Sequence, residues 1–243
     1  MLKGLLRIQQ TFFDLHLIVR VMPNLLRVGL PNTFILALLA TLIGIALGLI
    51  IAIGLISSRR PIGILCRFYV DILRGLPHIL TIYLIGQGLP LAGLSLFGDN
   101  TYAYAALAIG LIEGAYMAEI FRAGLQSVER GQIEAARTLG MTRAQTMLFI
   151  IVPQGIRRVL PPLTGQFILV IKGTALVFLL GLTASQRDLF SIAQDSAINN
   201  ANLSPLTAAG FIYLALTVPM TYAVNAWERR LRLGPTPQRR TAL

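Results

Sequence analysis

Residues 33–56 read TFILALLATLIGIALGLIIAIGLI and carry no charged side chain. An apolar helix of about 20 residues matches the roughly 30 Å hydrocarbon core of a bilayer at 1.5 Å rise per residue. The run therefore predicts a membrane-spanning helix from Thr33 to Ile56. Inside it, Gly44 and Gly48 have the GxxxG spacing that lets two helix backbones approach closely. Packing against a neighbouring helix is the plain reading of that pair.

Four more apolar runs follow. Ser57-Ser58-Arg59-Arg60-Pro61 ends the first span, and a half-apolar stretch with Arg67, Asp71 and Arg74 leads to a second span at about 75–94. This span opens on Arg74-Gly75-Leu76-Pro77, which loosens the helix where it enters lipid. Such a break survives at membrane depth only if it is buried in protein or faces a water-filled cavity. A third span is expected at about 102–121, with Glu113 and Glu119 inside. Residues 146–158 are apolar but interrupted by Pro153, Arg157 and Arg158, so the fourth span is placed after Leu160-Pro161-Pro162, at about 163–183. The fifth is 205–226, with a kink expected at Pro219. Trp227 sits at its end, where interfacial aromatics belong. The expected architecture is an all-α membrane protein of about five spans: an N-terminal segment 1–32, a transmembrane domain 33–226 with a polar loop at 122–153, and a basic tail 227–243.

Composition agrees. The chain is 55% hydrophobic and only 13% charged, against about a quarter charged in soluble domains. A net charge of +11 in a soluble protein would suggest nucleic acid. Here the basic residues flank the apolar runs, which points to membrane topology and away from nucleic acid. The single cysteine, Cys66, excludes an intramolecular disulfide and a Cys-rich metal site. No short apolar core followed by a small-residue cleavage site stands at the start, so no cleaved signal peptide is expected.

The arginines orient the chain. Arg59, Arg60, Arg67 and Arg74 fall on one side of the bilayer, with Arg122, Arg130, Arg137 and Arg143 and the five arginines of the tail. Loop 95–101 has no basic residue and loop 184–204 only Arg187. The positive-inside rule makes the arginine-rich side cytoplasmic, with the N-terminus outside and the C-terminus inside. Lys3, Arg7, Arg20 and Arg27 contradict this, and three segments outweigh one.

The polar stretch between spans three and four reads Gly131-Gln132-Ile133-Glu134-Ala135-Ala136-Arg137-Thr138-Leu139-Gly140, then nine residues, then Ile150-Ile151-Val152-Pro153. Residues 132–139 suit a helix of about 12 Å. Gly140 suits the left-handed position that ends it. Thr142 and Gln145 make a capping-box pattern that starts the next helix. The stretch is thus expected to be a rigid helix-turn-helix. Ala135, Ala136 and Leu139 would form a small apolar face that fits a groove, and Glu134 would add a charge for a basic partner.

This pattern resembles the EAA signature of binding-protein-dependent ABC importer permeases, with Val152 in place of leucine as the one mismatch. Besides Arg74-Gly75-Leu76-Pro77, three further runs resemble the polar amino-acid permeases, including the histidine and lysine-arginine-ornithine subunits. These are Gly114-Ala115-Tyr116-Met117-Ala118-Glu119-Ile120-Phe121-Arg122, Leu160-Pro161-Pro162 and Lys172-Gly173-Thr174-Ala175-Leu176. The resemblance implies the type I ABC importer permease fold in a bacterial inner membrane. It implies that Glu134, Ala135, Ala136, Leu139 and Gly140 couple the chain to a dimer of ATP-binding subunits, which hold the ATP and Mg. A second permease subunit (the same chain or a paralogue) and a periplasmic solute-binding protein complete the machine. The cargo is a polar amino acid or a derivative such as an opine. The chain has no GxxxxGK[ST] phosphate-binding loop, so it is expected to hydrolyse nothing and to carry no cofactor.

Ionisable and polar residues inside spans are candidates for the substrate pathway. These are Glu113, Gln166 and Lys172, with Thr174, and Gly75 and Pro77 at the helix break. Lys172 either meets substrate or pairs with Glu113 or Asp71. Gln166 lies six residues before it, so at 100° per residue the two side chains diverge by about 120°. In basic-amino-acid relatives the position of Gln166 is commonly a glutamate and that of Gly173 an aspartate, so cationic cargo is not implied. Asn32 and Thr33 either line the outer mouth or, more plainly, Asn32 caps the first span. His16 and His78 stand alone and suggest no function. A secondary transporter would be expected to show repeats, which are absent here, and a membrane scaffold would not need polar residues within its spans.

Overall fold

The structure, a computed structural model, describes residues 2–57 and 59–232. Ser58 and the last part of the basic tail, 233–243, lie outside the described residues. The helices are α1 (Leu2–Phe12), α2 (Leu15–Asn24), α3 (Leu30–Leu55), α4 (Arg60–Gly75), α5 (His78–Tyr83), α6 (Leu89–Leu91) and α7 (Thr101–Gln126). They continue with α8 (Arg130–Thr138), α9 (Arg143–Thr146), α10 (Val152–Gly173), α11 (Leu189–Asn200) and α12 (Ser204–Arg232). Among the described residues four helical stretches are long and apolar enough to cross a bilayer, and counting the bent pair Arg60–Gly75 and His78–Leu91 as one crossing brings the number to five.

Several span boundaries differ from the sequence-based expectation, mostly because proline does not stop these helices. Wide π turns at Leu25–Gly29, Leu84–Gly88 and Met147–Ile151 are followed two residues later by Pro31, Pro90 and Pro153. A proline lacks the N–H for the carbonyl four residues back, and its ring strikes that carbonyl. Those carbonyls belong to Arg27, Gly86 and Phe149, each the middle residue of a π turn. The extra residue in the turn moves the carbonyl aside, and the helix goes on. So the first span does not begin at Thr33, because α2 runs through its π turn directly into α3. The fourth does not begin at 163, because helix extends from Arg143 to Leu180, ending in a 3₁₀ stretch at Thr174–Leu180. Pro161 and Pro162 lie within α10. The carbonyls they free, on Arg157 and Arg158, are at exposed residues.

The second expected span is the exception, since its proline does break the helix. Leu76 is extended, with φ −84° and ψ 143°, as the residue before a proline prefers. The helical path bends by 106° between α4 and the following leg. The polar loop 184–204 is also more ordered than expected and contains α11. Asp188 caps that helix, its carboxylate accepting from the Ser191 and Phe190 backbone N–H groups. Burial pushes the Asp188 carboxyl above the usual carboxylate range, an upward shift that the Ser191 hydroxyl and these backbone hydrogen bonds offset only in part.

The core of the bundle is the pair α3 and α7. A Cβ on Gly44 would lie 2.8 Å from the Glu113 Cβ, and one on Gly48 2.8 Å from the Met117 Cβ. From the other side, a Cβ on Gly110 would lie 2.6 Å from the Ile43 side chain and one on Gly114 3.0 Å from the Leu47 Cβ. Two GxxxG pairs therefore face each other, Gly44 and Gly48 against Gly110 and Gly114. Between helices in lipid, close contact of this kind replaces the hydrophobic drive available in water. Leu36, Ala37, Ala40, Ala105, Ala108 and Ile112 fill the space around it.

Candidate functional site

The α8–α9 turn is built from local signals. At its end, α8 makes a Schellman motif. The Gly140 N–H donates to the Arg137 carbonyl at 3.1 Å and the Met141 N–H to the Ala136 carbonyl at 3.1 Å. Gly140 takes φ 83°, the left-handed conformation that glycine reaches without a Cβ penalty. The capping box follows. The Gln145 N–H donates to the Thr142 hydroxyl at 3.2 Å, and the Thr142 N–H to the Gln145 side-chain oxygen at 2.8 Å. Two contacts join α10 to this element and to the end of α7 just before it. The Gln154 amide donates to the Gln132 side-chain oxygen at 2.6 Å, and the Arg158 guanidinium donates to the Ser127 carbonyl at the end of α7. Leu139 is 84% exposed at the apex, an apolar side chain with nothing over it in this chain. Glu134 and Ala135 are exposed beside it. Ala136 corrects the expected apolar face, because it is 4% exposed and points inward. The phase of α8 was not readable from composition, since both alanines are small and apolar.

Further into the bundle, α7 and α10 meet at a polar pair. The Gln166 amide donates to the Glu113 carboxylate at 2.8 Å, with Glu113 only 4% exposed. The expected Lys172–Glu113 and Lys172–Asp71 alternatives are both absent. Lys172 is exposed, with no ion pair among the described residues. The divergence of Gln166 and Lys172 around one helix gives the inward place to the amide. Below the pair, a cleft of ≈ 500 Å³ is lined by Arg74, Tyr116, Glu119, Ser127, Arg158 and Gln166. The Arg74 guanidinium lies 5.2 Å from the centre of the Tyr116 ring, within reach of a cation–π contact. His78 meets the same ring edge-on at 5.6 Å, with its Nε2 3.3 Å from the Tyr116 hydroxyl. His78 thus backs Tyr116, a residue of the cleft wall, and is not the isolated residue its sequence context suggested. Gly75 and Pro77 place Arg74 and His78 on either side of the helix break. Arg74 and Tyr116 were missed as site residues, although both lie in motifs quoted above.

Three sequence candidates have structural roles. Asn32 is not a cap, because it lies inside the continuous α3. Its side-chain amide donates to the Ser185 carbonyl at 2.8 Å and the Arg187 carbonyl at 3.0 Å. The Thr33 hydroxyl accepts from the Leu189 N–H at 2.9 Å. Both residues brace the loop ahead of α11, at the end of the bundle opposite the α8–α9 turn. Thr174 is fully buried, and its hydroxyl donates to the Ile171 carbonyl at 2.8 Å. Replacing Asn32 with alanine leaves two carbonyls without their donor. It is expected to cost about 2 kcal/mol of stability, read as a lower unfolding temperature in detergent and faster proteolysis of the loop at 181–188.

Residues 44–233 match the family described as binding-protein-dependent transport system inner membrane component. The chain belongs to that family. The permease is 35% identical over 206 residues to the probable glutamine ABC transporter permease protein GlnM of Bacillus subtilis, covering 84% of this chain and 91% of that protein. It is 34% identical over 223 residues to the glutamate/aspartate import permease protein GltK of Escherichia coli, covering 90% of this chain and 98% of that one. A crystal structure of an amino acid ABC transporter with histidines superposes on it with a TM-score of 0.79 at 35% identity, over 87% of this chain and 96% of the other. The fold is that of the type I ABC importer permeases. The permease is an amino-acid-type ABC transporter subunit by family and relatives, in accord with the α8–α9 turn and the polar cleft.

Proposed function

We propose that this chain is the membrane-spanning permease subunit of an ATP-driven importer that carries a polar amino acid, or a derivative such as an opine, into the cell. The single observation that carries the reading is the α8–α9 turn. It is stiff, capped at both ends, tied to α10, and topped by an exposed leucine beside a glutamate. An ATP-binding subunit dimer, holding ATP and Mg, grips Leu139, Ala135 and Glu134. The arginine-rich face is cytoplasmic in a bacterial inner membrane, with the N-terminus outside. A second permease, either the same chain or a paralogue, completes the path, and a solute-binding protein delivers the cargo from outside.

The mechanical link is short. Closure of the ATPase dimer pushes α8, and the Gln132–Gln154 and Ser127–Arg158 contacts pass the push to α10. From Arg158 to Gln166 is eight residues of one helix, about 12 Å. The displacement therefore reaches the Gln166–Glu113 bond, which joins α10 to α7 above the cleft. Carboxylate, amide, guanidinium and phenol groups line this route and suit a small zwitterion. Purification of the tagged permease is expected to bring down an ATPase subunit. Leu139→Asp is expected to lose that subunit, because the new charge would have to be desolvated in the docking groove. Retention of the ATPase by this variant would overturn the docking assignment.

A further inference from the structure

On the end of the bundle opposite the α8–α9 turn, α2 and α11 enclose a groove of ≈ 480 Å³. Its polar lining is Arg20, Asn24, Arg187, Ser196, Asn199 and Asn200, with no acidic residue among the lining residues. Arg20 and Arg187 are 167 positions apart in the chain and converge here. Arg20 is exposed and has no ion pair among the described residues. Arg187 is held in place, since its guanidinium contacts the Asp195 carboxylate through Nη1 at 2.8 Å and its carbonyl accepts from Asn32. That single contact leaves other guanidinium N–H donors available, already ordered, so little side-chain entropy remains to be lost on binding.

We infer that this groove receives an acidic segment of the solute-binding protein's surface, with Arg20 and Arg187 pairing with its carboxylates. The inference rests on the importer reading, which puts this end outside the cell. It gives a reason for Arg20 to lie on the face where the positive-inside rule disfavours it. The three carboxamides and the serine hydroxyl both donate and accept hydrogen bonds. They match the mixed donors and acceptors of a polypeptide surface, whereas a lipid phosphate only accepts. Complementary charge at such a rim acts mainly on encounter and on salt dependence.

The test uses the complete transporter, reconstituted with its ATP-binding subunits in vesicles, and purified binding protein loaded with cargo. The readout is ATPase rate against binding-protein concentration. Arg20→Glu is expected to raise the half-saturating concentration by about tenfold at low salt while the rate at saturation is retained. The difference should shrink as salt is added, and Arg20→Lys should stay near the parent. An unchanged half-saturating concentration in Arg20→Glu, with a responsive parent, overturns the docking inference and leaves the importer standing. A change in ATPase that needs no binding protein and follows the anionic-lipid content of the vesicles overturns it in favour of a lipid site. A parent transporter that no candidate binding protein stimulates overturns the importer reading, and the docking inference with it.

Discussion

Gly140→Val is expected to abolish ATP-driven uptake while the permease still inserts in the membrane. Gly140 sits at φ 83°, where a side chain costs about 1–2 kcal/mol and a β-branched one more. Relief of that strain rotates the peptide and breaks the hydrogen bonds from Gly140 to Arg137 and from Met141 to Ala136. The C-terminus of α8 then frays, and the angle between α8 and α9 is no longer set. None of the bundle contacts depends on this residue, for a Cβ on Gly140 would meet nothing within 4 Å. Insertion and expression should accordingly be near normal. Asparagine tolerates the left-handed region, so Gly140→Asn should keep a substantial part of the uptake. The measurement is uptake of labelled cargo into vesicles supplied with ATP, beside ATPase rate and membrane yield. Normal uptake in Gly140→Val would remove the stiff turn from the mechanism.

Gly48→Val is expected to have the opposite signature, with too little folded permease to assay. A Cβ there would lie 2.8 Å from the Met117 Cβ, 3.0 Å from the Ala118 nitrogen and 3.1 Å from the Gly114 carbonyl oxygen. Two of those atoms are backbone and cannot rotate away. The α3–α7 contact must then open along its length, at the upper end of the roughly 1–3 kcal/mol usual for overpacking. Gly210 in α12 is the control, since a Cβ there meets nothing within 4 Å. Gly210→Ala should be neutral or stabilising by about 0.5–1 kcal/mol through its helical preference. Monodispersity and unfolding temperature in detergent separate the two. A Gly48→Val protein as stable as the parent would mean that α3 and α7 do not pack as closely as described.

The two replacements also separate the two kinds of information in the chain. The α8–α9 turn was legible from residues 131–145, because every interaction that makes it spans at most five residues. The glycine after α8, the Thr142–Gln145 box and the run that surrounds them are local and survive any tertiary arrangement. The same holds for the helix break at Gly75–Pro77 and for the long charge-free run of α3. Half of the α3–α7 contact was also readable, as Gly44 and Gly48. The matching Gly110 and Gly114 carry the same spacing but lie in a less apolar run around Glu113, and that contrast hid them.

Other features required the folded molecule. Pro153 reads as interrupting a span, because the rule concerns an α-helical turn, and Pro31 and Pro90 draw no reading. Whether a π turn relieves the clash depends on the packing that holds the helix on both sides of Pro31, Pro90 and Pro153. Ala135 and Ala136 are adjacent and chemically alike, and only the angle at which α8 lies decides which of them is buried. Sequence reasoning offers Glu113 one partner, Lys172, and the rotation of α10 against α7 selected Gln166 across 53 positions instead and left Lys172 outside. Asn32 found carbonyls at Ser185 and Arg187, more than 150 positions away, so no local pattern could mark it as a brace. Sequence by itself determined the elements whose energy comes from neighbours along the helix: the spans, the turn and the break. Tertiary structure alone decided the partners of each polar side chain, because in a bundle these follow from helix rotation and depth, which no single helix encodes.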